Sequence, residues 1–381
     1  MYIIYSDKRT GVDFSGQARY GWLAAMALAL CWLISVTPSL AQSQVQMSPA
    51  SGGLINPQAA VFNSATGKVY VVDAGRGVVN VSDDAANSTV AVKVGAGPVS
   101  IAVNTLNGRA YVANAADGTV SILDGRTNQV TATVQVGSHP YSIAANSVTG
   151  KVYVSHTFSD QLTIIDDATG QVTSIKAGSF DLIAVNSRTN TVYLLGYEGG
   201  NLAAMDGGSN AITERSVGMH AWGIVLDEGS GAVYVGRTGN SEIAVLKADS
   251  KLPAKISVGS IPGSVAFNPT NNTLYSANYG EDSVTVIDGE KRIPTGTIPV
   301  GSRPEAIAVD PASGLVFVAN THDNTVTVID GATKKVRATV AAGKSPYALA
   351  YNPKAGKLHV ANLGDASFTI IDMQRMIGRA R

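Results

Sequence analysis

Ten side chains in the middle of the chain have the types from which a ligand site is made. His139, His156 and His220, with Asp181 and Glu198, are groups that bind zinc or serve a hydrolase. Zinc would need three or four of them within about 2.0–2.2 Å of one point. Tyr141, Phe180, Tyr197 and Trp222 are rings that stack, and Arg237 adds a guanidinium, a set suited to a polar, planar or sugar-like ligand. Local catalytic signatures are missing from the sequence. There is no G-x-S-x-G elbow, no H-E-x-x-H and no phosphate-cradling G-x-x-x-x-G-K. The glycines of GYEGG (196–200) and DGGSN (206–210) read as strand-turn glycines.

The elements that must position these groups repeat. Tetrapeptides beginning at Tyr70 (YVVD), Tyr111 (YVAN), Tyr153 (YVSH), Tyr193 (YLLG), Tyr234 (YVGR), Tyr275 (YSAN), Phe317 (FVAN) and His359 (HVAN) recur every 40 to 42 residues. Such a period, built from short Val/Ile/Thr/Tyr-rich alternating runs, is that of propeller blades, whereas helical repeats would show a 3.6-residue period. Within one unit, 100–104 (SIAVN) reads as the inner strand and 109–114 (RAYVAN) as the second. Residues 119–124 (TVSILD) and 130–136 (VTATVQV) supply the third and outer strands. The inner strand ends in Asn or Asp in all eight units, which marks a turn that each blade needs.

The predicted fold is all-β, a single propeller of eight four-stranded blades, with seven as the alternative. Units of about 41 residues fill 54–381, and the last lacks an outer strand. A segment within 42–53, around Gln44–Met47, is predicted to supply it and close the ring.

Departures from the repeat cluster. The fourth motif residue is Asn or Asp in five units, but His156, Gly196 and Arg237 in units three to five. Six units carry Pro before the inner strand, whereas units four and five carry Asp181 and Ala221. Loops between second and third strands share a face with those after the outer strand, so the ten candidates gather along one arc of the channel mouth. Drift between blades is the alternative explanation. His139 and His220 hold equivalent positions two blades apart, so both would have to reach the axis to share a metal; neither a metal nor any other cofactor is predicted.

The motifs YVAN, SIAVN, VTVIDG and VGxxP over 54–381 resemble the YVTN-repeat β-propeller family, including exported YncE-like proteins. The resemblance implies seven or eight blades and a periplasmic or cell-surface location. It implies no single activity: relatives look like binding proteins, some for DNA, and related propellers carry haem d1 or hydrolyse lactones.

Composition agrees with export. Lys8, Arg9 and Arg19 precede an apolar run at 21–36, followed by a small-residue cleavage pattern ending at Ala41, so residues 1–41 read as a secretory signal. The 16-residue run is shorter than the roughly 20 residues of a spanning helix. No stable membrane span is therefore expected after cleavage. The single cysteine, Cys31, leaves with the signal, so the mature chain has no disulfide or thiolate. Twenty-eight basic and 28 acidic residues balance, which makes nucleic acid a minority reading. The expected protein is a periplasmic or secreted monomer that binds a small polar ligand, glycan or peptide. A lactonase-like hydrolase, a metal or haem d1 propeller and a nucleic-acid binder are the alternatives.

Overall fold

In the computed structural model, which describes residues 42–46, 57–197, 199–247 and 252–374, alternating apolar and small polar residues become strand almost throughout. The described residues form eight antiparallel sheets of four strands. Seven sheets use four consecutive strands. The eighth is ordered Gln42–Gln46, Ser367–Asp372, Lys357–Asn362, Pro346–Asn352, so the N-terminal strand is the outer strand of the last blade. Its register runs from Gln42 opposite Ile371 to Gln46 opposite Ser367. The inner strands touch in succession, and the inner strand of the eighth blade returns to Pro57–Asn63 of the first. The ring has eight blades, not seven, and its last blade is completed to four strands like the others.

Each recurrent sequence feature has a local cause. The Asn or Asp ending every inner strand accepts the amide N–H two residues on, at 2.9–3.2 Å in all eight blades. The Asn ending YVAN acts differently. Its Nδ2 donates to two hydroxyls of the third strand: Asn114 to Thr119 and Ser121, Asn278 to Ser283 and Thr285, Asn320 to Thr325 and Thr327, Asn362 to Ser367 and Thr369. This Asn latches the second strand to the third.

The latch also explains the glycine of VGxxP. A Cβ on Gly95, Gly259 or Gly301 would stand 2.6 Å from the Nδ2 of the Asn latch beside it, closer than any real contact. Glycine and asparagine, some twenty residues apart, are therefore one packing unit.

Second strands are buried on both faces, while outer strands alternate with solvent. Apolar side chains of adjacent blades merge into eight clusters, one at each boundary. The seam between blades eight and one is filled by Ala60, Val69, Val71, Tyr347, Ala348 and Phe368, among others. Burial on this scale, repeated at each interface, is what orients the strand ends that carry the candidate site. No helix among the described residues is long and apolar enough to cross a membrane.

Candidate functional site

Strand direction fixes two unlike ends of the channel. Inner strands begin at one end with the Pro positions and finish at the other with the Asx turns. Second strands return to the first end, so the YVAN latches, the loops after them and the loops entering each blade all lie there.

The residue entering each inner strand is left-handed in six blades: Gly97, His139, His220, Ile261, Arg303 and Ser345 have φ of 50–61°. Its carbonyl accepts the N–H of the residue following the latch, as in His139–Thr157 and His220–Thr238, both 3.0 Å. This turn holds the His139 and His220 side chains out in solvent at the mouth.

Blade four departs from the pattern. Seven inner strands have a register shift after their first residue; that of blade four, Leu182–Asn186, pairs evenly from Leu182 opposite Leu195. Phe180 is buried in the core between blades three and four, against residues such as Ile183 and Leu194. Asp181 takes the place of Pro, and its Oδ2 accepts the N–H of Tyr197 at 3.0 Å.

Tyr197 is thereby set between two rings of the next blade. Its ring lies 5.8 Å from His220 and 5.1 Å from Trp222, edge-on to both. Trp222 is part-buried on the inner strand Ala221–Asp227. Edge contacts of this kind orient rings and leave faces for a ligand. Tyr141 holds the position equivalent to Trp222 in blade three, where it packs on the cluster of Leu182, Tyr193 and Leu195.

His156 and Arg237, chosen from the latch position, are structural in their contacts. His156 is buried; its Nδ1 donates to the Ser138 carbonyl at 3.0 Å and its Nε2 lies 2.9 Å from Thr163 Oγ1. Burial lowers its pKa, opposed in part by the Ser138 bond. Both ring nitrogens are thus engaged inside the blade. Arg237 is 7% exposed and pairs with Glu242 at 2.5 Å, with Asn240 accepting a second bond at 3.2 Å. Arg237 ends the strand Ala232–Arg237, and Gly218, at φ 93°, lies against it: a Cβ there would collide with the guanidinium. Glu198 lies outside the described residues. Among those described, no three His, Cys, Asp or Glu side chains gather to hold a metal.

The structure therefore brings together Tyr197, His220 and Trp222, positioned by Asp181. It leaves His139 exposed nearby and folds Phe180, His156 and Arg237 into the scaffold. It also shows an arrangement the sequence reading passed over: Arg303 stands 5.9 Å over the Tyr279 ring, at the same two positions as His220 and Tyr197 but two blades on. Aligning the residue after each latch, rather than the latch itself, would have found both pairs. A concave space of about 500 Å³ opens at the opposite end, around Ser64, Ser147, Glu228 and Pro311.

No family model matches the chain, and no curated protein matches it. Among solved structures it is similar to a chain of Kuenenia stuttgartiensis hydrazine synthase, at 17% identity and a TM-score of 0.60, over 75% of this chain and 98% of that one. That likeness is one of fold, and it supports the β-propeller architecture.

Proposed function

We propose that the protein is an exported binding propeller of the YVTN-repeat, YncE-like type, and that it takes a small polar ligand, glycan or peptide at the mouth beside blades four and five. The observation that carries the binding reading is the Tyr197 ring held edge-on to both His220 and Trp222. Those rings stand where the repeat is broken: blade four alone lacks the inner-strand register shift, and Asp181 uses its carboxylate to fix the Tyr197 backbone. Seven blades close without that departure. A phenol flanked by a part-buried indole and an imidazole offers stacking faces and hydrogen-bonding edges together, which suits a sugar ring or a planar polar group. Export rests on the basic, apolar and small-residue segments of residues 1–41.

The test is a fluorescence titration of the protein against glycans, nucleosides and short peptides, with Trp222→Phe as reference to isolate the Trp222 signal. A ligand that shifts Trp222 emission and loses affinity in Tyr197→Ala supports the site. A ligand that binds both variants as well as the parent, or a panel in which none binds, overturns it. N-terminal sequencing of exported protein would find Gln42 first if the proposed cleavage is right.

A further inference from the structure

The opposite end of the channel holds a cavity of about 500 Å³, continuous in its lining with a second space of about 400 Å³ through Val185, Glu228 and Pro311. Spaces of this size hold drug-sized molecules. The rim is built from one position of the repeat, the residue directly after each inner-strand Asn or Asp. In blades one to four that residue is Ser64, Thr105, Ser147 and Ser187; in blade five it is Glu228; in blades six to eight it is Pro269, Pro311 and Pro353. Every blade makes the same turn, so turn geometry cannot explain a hydroxyl arc, one carboxylate and a proline arc in that order.

The two arcs differ in chemistry. Thr105 Oγ1 donates to Ser147 Oγ at 3.0 Å, which links neighbouring hydroxyls across a blade boundary. Facing them, the prolines join Leu349, Phe62 and Phe267 in an apolar wall. The charge of the lining is of one sign: Glu228, Asp227 and Asp310 are its ionisable acids, and no lysine or arginine lines either space. Asp227 and Asp310 are committed to their turns through the amides of Gly229 and Ala312. Glu228 is exposed, and no ion pair or hydrogen bond among the described residues engages its carboxylate. Two cations beside the rim turns donate to backbone carbonyls, Arg188 to that of Gly229 and Lys354 to that of Ser64 at 2.9 Å.

We propose that this cavity is a second binding site, distinct from the mouth, for an amphiphilic organic cation: an ammonium head held by Glu228 and the Ser187 hydroxyl beside it in the ring, and an apolar body laid along the proline arc. The carboxylate selects for the charge of the head, and the walls supply burial for the body. An anionic ligand of the same shape meets carboxylates and no lysine or arginine among the described lining residues.

Calorimetric titration of the full chain with 2-phenylethylamine, its neutral counterpart 2-phenylethanol and its anionic counterpart 3-phenylpropanoate tests this. The amine is expected to bind about tenfold or more tighter than the alcohol, and the carboxylate not at all. Glu228→Gln should remove the preference of amine over alcohol, while Glu290→Gln, an exposed carboxylate on an outer turn of the same face, should keep it. Ser187→Trp, which fills the space without altering charge, should abolish binding of both. Equal binding of amine and alcohol to the parent, a preference that survives Glu228→Gln, or no binding of the amine overturns the proposal. Since none of these variants touches the aromatic mouth, failure here is separable from failure there.

Discussion

His359 Nε2 lies 3.0 Å from Oδ2 of Asp84, across the seam where the last blade meets the first. In six other blades the position of His359 is Tyr and in one it is Phe; in four others the position of Asp84 is Gly. Asp84 is almost wholly buried, and it also accepts Asn352 Nδ2 at 2.7 Å and faces Lys357 at 3.6 Å. The Nδ1 of His359 is buried with no hydrogen-bond partner among the described residues, and Nε2 donates to the carboxylate. Two departures from the repeat at facing positions thus join the last blade to the first.

This contact should show in the pH dependence of stability. Burial by itself would raise the Asp84 pKa; the hydrogen bond from His359, with Asn352 and Lys357, outweighs it and holds the group below the ordinary carboxylate value. A depressed folded pKa contributes stability that is present above the unfolded value of about 3.9 and is lost as pH falls through the folded value. Asp84→Asn should flatten that part of the acid unfolding profile. His359→Phe should cost about 1.5–3 kcal/mol in urea unfolding at neutral pH, because it leaves a buried carboxylate short of a donor. Unchanged acid profiles in Asp84→Asn would show that ring closure does not depend on this seam.

A second prediction concerns the pairing of glycine and latch. Asn320→Ala removes two buried hydrogen bonds to Thr325 and Thr327 and should cost about 1–3 kcal/mol. Gly301→Ala should cost at least as much, since its Cβ would stand 2.6 Å from Asn320 Nδ2. In the double variant Gly301→Ala/Asn320→Ala the contacts with Nδ2 and Cγ are removed, and only the one with the Cβ of residue 320, at 2.8 Å, remains. Its loss, read from denaturant unfolding, should therefore be smaller than the two single losses added together. Full additivity would mean that the two residues act separately.

The sequence carried the fold because the fold is repetitive: a feature seen eight times reveals its role by position. The inner-strand Asn63 and its seven equivalents were readable as turn residues, since an Asx side chain bonds its own backbone and needs no knowledge of neighbours. The role of the YVAN Asn is not readable in this way, because its partners, Thr325 and Thr327 for Asn320, lie on another strand five and seven residues on. The site was legible only in part. Tyr197, His220 and Trp222 were picked from broken repeats, but the same rule also selected Phe180, His156 and Arg237, whose departures are repacking within blades. A broken repeat marks a changed environment, and only burial tells whether that environment faces a ligand or the core.

Arg237 offers a direct test of this distinction. Arg237→Ala should lower stability by about 1.5–3 kcal/mol, because it strips Glu242 of its closest partner and leaves Lys255 at 3.6 Å as the remaining cation. Arg237→Asn/Glu242→Thr, which restores the Asn-to-Thr pairing of other blades, should recover part of the loss. Thermal unfolding of the three proteins decides it. A fully stable Arg237→Ala protein would return the residue to the list of ligand contacts.

The mouth makes the opposite prediction for its rings. Trp222 is part-buried and Phe180 is buried in the core, although both stood in the same arc of the sequence. Trp222→Ala should weaken a mouth ligand by about 1–3 kcal/mol, as an aromatic anchor does. Its effect on stability should be near the worth of one aromatic contact, about 1 kcal/mol. Phe180→Ala should instead cost about 3–5 kcal/mol of stability through the cavity it leaves. Any change in affinity at the mouth should then follow only from the blade-four loop, where Asp181 holds the Tyr197 backbone. Asp181→Ala separates the two effects, because it frees that loop without opening the core: affinity should fall while the melting temperature moves little. A large loss of stability in Asp181→Ala with affinity unchanged would show that the departure of blade four serves folding, and that Tyr197 is not presented to a ligand.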